Sequence, residues 1–252
     1  MRESSLGILF WLALKEQWRN WRSGVVVVLL GLPILVSFIA NFLSAPRAGE
    51  QLSQLEWYLS LVENMILQYY IWLLPLLYGA CALQDEVEQG TLHYLLVRPF
   101  PRYYLVISKF MATVFFSLVS LFFCLVVCAF FYSAFSLEFF FYLVKCTVLG
   151  VLFYSSCFHF IGVLVNKPLA LGVIYGFFWE VVMFELQAPA KYFTGLYHLN
   201  SLVHSLSSEV PMESLPSESS STWGLLAASA ILLGLASVIA QFREFSRTPS
   251  GS

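Results

Sequence analysis

Apolar residues do not alternate with polar ones in this chain; they run almost unbroken for whole stretches, and the charged residues collect between the runs. A hydrocarbon core ~30 Å thick needs about 20 apolar residues per helical span, and six runs meet that length: residues 23–44, 61–83, 105–132, 139–165, 169–187 and 222–241. Residues 4–21 read differently. Leu6, Leu9, Phe10, Ala13, Leu14, Trp18 and Trp21 recur at helical spacing, but Lys15, Glu16, Arg19 and Asn20 interrupt them. That pattern predicts an amphipathic helix within residues 1–22 that lies along the cytoplasmic interface instead of crossing.

The second run carries Glu63, Asn64 and Gln68 near one end and Pro75 in its middle, and helical character is expected to continue to Gln89. At ~1.5 Å per residue such a helix is about 43 Å long, so it should project past the hydrocarbon. Gly90 suits the residue that ends it, Thr91 the N-cap of a short helix over residues 92–97, and Arg98-Pro99 the stop. The third and fourth runs read as a Phe-rich hairpin, expected to be mostly scaffold facing lipid. Residues 166–168 form a tight turn, with Pro168 tolerated in the first turn of the fifth run. That run holds Gly172 and Gly176 at a spacing that lets helices approach closely, followed by Glu180 and Glu185. Residues 188–221 read as a polar, Ser-rich external loop whose apolar-aromatic start, Tyr192, Phe193, Leu196 and Tyr197, is able to dip back into the interface. No internal repeat and no folded soluble domain are expected, so residues 1–252 read as a single transmembrane domain.

Composition agrees: 59% hydrophobic and 11% charged residues, with a mean hydropathy of +0.77, leave too little polar surface for a soluble globule. The expected class is an all-α integral membrane protein with six transmembrane helices. With a cytoplasmic N-terminus, ten of the 13 Lys and Arg residues fall inside, and Arg47, Lys145 and Lys191 fall outside, which satisfies the positive-inside rule. Both termini are then cytoplasmic and the membrane is the inner (plasma) membrane. The five cysteines fall within or at the ends of predicted spans, so neither a disulfide nor a zinc site is expected. The first run is preceded by about 22 residues and followed by no Ala-x-Ala cleavage pattern, which reads as a retained helix.

The chain has no phosphate-binding Gly-x-x-x-x-Gly-Lys-Ser/Thr loop, no Gly-x-Ser-x-Gly elbow and no His-Glu-x-x-His helix. No catalytic residue, metal ligand or resident cofactor is therefore assigned. His198 and His204 share the external loop with Ser201 and Ser205 and read as loop residues; His159 reads as a hydrogen-bonded packing residue. Carboxylates within spans cost about 2.5 to 3.5 kcal/mol near the bilayer centre. Glu63, Asn64, Gln68, Glu180 and Glu185 are thus candidates for a substrate pathway, the alternative being partners near the headgroups or with Lys145.

The segment over residues 84–102 carries the most specific signal. Glu86, Gly90, Thr91, Leu92, Leu95, Leu96, Pro99 and Arg102, with Lys109 beyond, resemble the cytoplasmic loop in membrane subunits of type-2 ABC exporters. The resemblance implies a permease subunit. Its helix over residues 92–97 would be the coupling helix that docks on a separate ABC ATPase subunit, where ATP and Mg are bound. It also implies a second permease protomer, alike or different, a lipid bilayer around both and no nucleic acid. Leu92, Leu95 and Leu96 otherwise form an apolar row without a partner. The alternatives are a membrane-embedded enzyme, which needs a convergent polar cluster at one depth, and a channel or assembly factor without ATP-coupled transport.

Overall fold

The computed structural model describes residues 2–43, 58, 60–82, 84–85, 102–131, 137–183, 192–204 and 216–242, and every regular element among them is helical. Helix α1 is Arg2–Arg19 and α2 is Trp21–Leu43. Asn20 separates them: its Oδ1 accepts from the Arg22 N–H, the N-cap pattern that starts a new helix on a new axis. Helix α3 covers residues 62–80 and winds in three ways, with i→i+5 turns over Val62–Tyr70 and Leu76–Ala80 around an α-helical stretch, Ile71–Pro75. Helices α4 (Arg102–Phe131) and α5 (Leu137–Leu164) follow. Pro168 opens α6, Pro168–Val182, which widens to i→i+5 turns over Tyr175–Val182. A short α7, Gly195–His204, precedes the last helix α8, Glu218–Phe242.

Four of these, α2, α4, α5 and α8, are long and apolar enough to cross a membrane. Helix α6 is a shorter apolar helix, and the mixed winding of α3 divides its apolar run. The core gathers around α3 and α5. Ile66, Leu67, Ile71, Leu74 and Leu76 of α3 are fully enclosed, as are Leu143, Val151, Tyr154 and Phe158 of α5.

The expectation that the third and fourth runs face lipid is corrected for the fourth: α5 is the most buried of the four long helices. Its Gly150 lies under Ile71 and Leu199, and a Cβ at Gly162 would stand 2.5 Å from the Ala80 carbonyl oxygen, so missing side chains let neighbouring backbones close on it. Gly172 and Gly176 act likewise, seating Leu76 and Trp72 of α3 against α6 within one chain.

Candidate functional site

Asp85 stands just beyond α3, its N–H bonded to the Cys81 carbonyl in a helical turn. Residues 86–101 are outside the described residues, and with them Glu86, Gly90, Thr91, Leu92, Leu95, Leu96 and Pro99; Arg102 opens α4, its side chain also undescribed. What the structure describes is both roots of this segment. At the first root, Arg22 donates from both terminal nitrogens to Asp85, at 2.6 Å and 2.8 Å, and Asn20 adds a third bond at 3.3 Å. Both charged side chains are mostly enclosed, at 13% and 14% exposure. The bidentate fork fixes distance and angle together, as only a guanidinium can.

About two turns into α4 from the second root, Lys109, almost wholly buried, donates to Glu16 of α1. One turn on, Gln17 Nε2 donates to Thr113 Oγ1 at 3.1 Å, and a further turn on, Trp18 lies against the Phe116 ring. The face of α1 pressed on α4 is therefore Leu9, Ala13 and Gln17. Ile8, Trp11, Leu12 and Trp18 remain exposed, as does Trp21 beyond its end. Ser23 Oγ, bonded to the Gln17 carbonyl at 2.6 Å, ties the two helices at their corner. The α1–α2 corner thus grips the chain where it leaves α3 and where it re-enters in α4.

At the other end of α6, Glu180 is completely enclosed. Its two oxygens accept from Tyr154 Oη at 2.9 Å, Tyr175 Oη at 2.9 Å, the Gly195 N–H at 3.2 Å and the Leu196 N–H at 3.0 Å. Its partners are thus α5, α6 and the N-terminus of α7. Lys145 pairs instead with Glu218 at the start of α8, at 2.5 Å. Asn64 is exposed and donates back to Ser60, and the Gln68 carbonyl accepts from Trp72 Nε1 at 2.8 Å. The side chain of Glu63 and the whole of Glu185 lie outside the described residues. Among the described pathway candidates Glu180 is drawn inward, Gln68 is half-buried and Asn64 is exposed.

His159 is buried, its Nδ1 on the Ser155 carbonyl and its ring edge-on to Phe110. His198 Nδ1 lies 3.5 Å from Ser221 Oγ, which lies 3.4 Å from Ser201 Oγ, itself donating to the Pro216 carbonyl. None of these contacts includes a carboxylate to orient the ring. All five cysteines are buried with no disulfide among them, and the described residues contain no group of three His, Cys, Asp or Glu able to hold a metal.

Sequence reasoning missed the Arg22–Asp85 fork and α7. The fork joins residues 63 apart, which no local pattern reveals. For α7 there was a signal, because Leu196, Leu199, Leu202 and Val203 recur at helical spacing behind Thr194, which caps the Tyr197 N–H. Residues 14–183, more than half of the chain, match the family model described as ABC-2 family transporter protein. No curated protein matches the chain.

Proposed function

The chain belongs to the ABC-2 family of transporter proteins, and from that premise we propose that it is a six-span permease subunit driven by ATP hydrolysed on a separate cytoplasmic ABC ATPase. The family makes it a transporter membrane component, and its apolar helices make it a multi-pass membrane protein. In the proposed arrangement α2, α3, α4, α5, α6 and α8 span, α1 lies in the cytoplasmic interface of the inner (plasma) membrane, and both termini are cytoplasmic. The exposed Trp11, Trp18 and Trp21 suit headgroup depth, and Lys15 and Arg19 suit anionic lipid.

The observation that carries the reading is the pair of charged contacts near the roots of residues 86–101. ATP binding shifts a transporter between states only through contacts that differ between those states. The apolar row Leu92, Leu95 and Leu96 is the surface on which the ATPase makes them, with ATP and Mg held on that partner. Displacement of the row pulls on Asp85 at one root and Lys109 beyond the other, and so turns the α1–α2 corner against α3 and α4. A second permease protomer, alike or different, completes the unit. The outward faces of α3 and α6, with Asn64, Tyr69, Phe177 and Phe178, are its proposed lining, and export is the direction implied by the resemblance to type-2 exporters.

Leu95→Asp tests the reading. It should abolish stimulation of the partner ATPase while the chain still inserts and folds in the membrane. Normal complex formation and stimulation in that variant would contradict the docking role.

A further inference from the structure

Helix α7 does not sit on top of the bundle. Gly195 at its N-terminus is packed against Phe153 and Tyr154, and Leu199 lies over Gly150, so α7 meets α5 in its middle. By helical rise Tyr154 is about 15 Å from the Leu164 end of α5 and about 26 Å from its Leu137 end. A helix N-terminus presents four backbone N–H groups without helical partners, and within a membrane such groups are tolerated only where protein satisfies them. Here Glu180 takes the Gly195 and Leu196 N–H groups, and Thr194 takes that of Tyr197. A Cβ at Gly195 would stand 2.6 Å from the Phe153 ring and 2.7 Å from Tyr154 Oη, so glycine is what lets the terminus reach the carboxylate.

We infer that Glu180 is a positioning residue that seats α7 at mid-depth, fastening α5, α6 and α7 into one body that stays fastened when the permease changes state, instead of contacting transported substrate. The four donors come from those three helices, Tyr154 from α5, Tyr175 from α6 and two amides from α7, and they fill both oxygens of a carboxylate with no exposed surface. A carboxyl group bonded by four donors in so dry a place resists release more than an apolar seam does, because each bond it lost would leave a buried polar group unpaired. The rest of α7 buries Leu196, Leu199, Leu202 and Val203, contacts that hold a helix without fixing its end. Opening at this end of the bundle must then occur at seams other than the one between α6 and α7. The claim of persistence through the cycle rests on the transporter reading; the seat itself does not.

The test is thiol labelling of Leu199→Cys in the full chain in lipid nanodiscs, with hydrogen exchange over residues 195–199 in parallel. The unmodified chain, whose own cysteines are buried, gives the baseline. In the Glu180→Gln background labelling and exchange should rise at least roughly ten-fold, the effect of losing about one buried hydrogen bond, while exchange in α4 and α5 stays unchanged. Tyr175→Phe, which removes one donor and keeps the carboxylate, should give a smaller rise and guards against a Glu180 variant that does not fold. Unchanged protection of residues 195–199 in both backgrounds would overturn the seat. With the ATPase bound and a nonhydrolysable nucleotide added, labelling of Leu199→Cys with Glu180 intact should stay slow; rapid labelling there would overturn the persistence of the three-helix body. Failure to find any ATPase would instead strike the transporter reading and leave the seat standing.

Discussion

Removing the Asp85 carboxylate should cost both stability and coupling, and the size of the loss can be worked from the geometry. Asp85→Ala deletes two charge-assisted bonds from Arg22 and one from Asn20. Breaking a fully buried ion pair costs about 3–5 kcal/mol and an exposed one about 0–1 kcal/mol. With exposures of 13% and 14%, the single variant should lose about 2 kcal/mol, a factor of roughly 30 between gripped and released corners. Arg22→Ala should lose a similar amount, and the double variant should lose much less than the sum, leaving a coupling energy of about 1.5 kcal/mol. Reversible unfolding in mixed micelles gives the cycle, and nucleotide hydrolysis by the reconstituted complex gives the functional arm. In that arm Asp85→Ala should retain the bound ATPase but lose its coupling to the permease. Single variants that add within about 0.3–0.5 kcal/mol, or an Asp85→Ala complex with intact coupling, would refute the idea that this fork transmits force.

Other outcomes follow from the same contacts. Gly176→Ala places a methyl group against the Trp72 ring, which is itself held by its bond to Gln68; unfolding in micelles should show a loss of about 1–3 kcal/mol, whereas Gly224→Ala and Gly234→Ala, which meet open space, should show none. Lys145→Gln removes a pair exposed at 42% and 43% and should change stability by less than about 1 kcal/mol. Lys109→Met should be the harsher of the two lysine changes, because it strands Glu16 against a nearly dry site; a cost no larger than that of Lys145→Gln would count against the second root of the grip.

Much of this architecture is written in the chain, and the parts that are not have identifiable reasons. Among the described residues the apolar runs located all four helices long enough to cross a membrane, because hydrocarbon length imposes itself on sequence; the last run, read as residues 222–241, is Glu218–Phe242 in the structure. Which side of a helix faces protein is harder to read when all sides are apolar. In α5 the small and hydroxyl residues Gly150, Ser155, Ser156 and Gly162 are scattered around the helix and buried against neighbours on several sides, while its phenylalanines read as lipid-facing. Glu180 was legible as costly and therefore purposeful. Its purpose was not legible, since two of its donors are backbone amides of a helix lying within a polar, Ser-rich stretch. The fork at Asp85 joins charges that sequence separation hides, although each stood beside a predicted helix end.

The most direct measurement is recovery of the tagged chain from its native membrane with whatever protein holds it, followed by assay of that complex for ATP hydrolysis. The expected result is a stoichiometric companion carrying a Gly-x-x-x-x-Gly-Lys-Ser/Thr loop, lost on Leu95→Asp and hydrolysing ATP faster with the permease than without it. A chain that moves its substrate with no nucleotide-hydrolysing companion, or whose companion binds undiminished to Leu95→Asp, would contradict the reading.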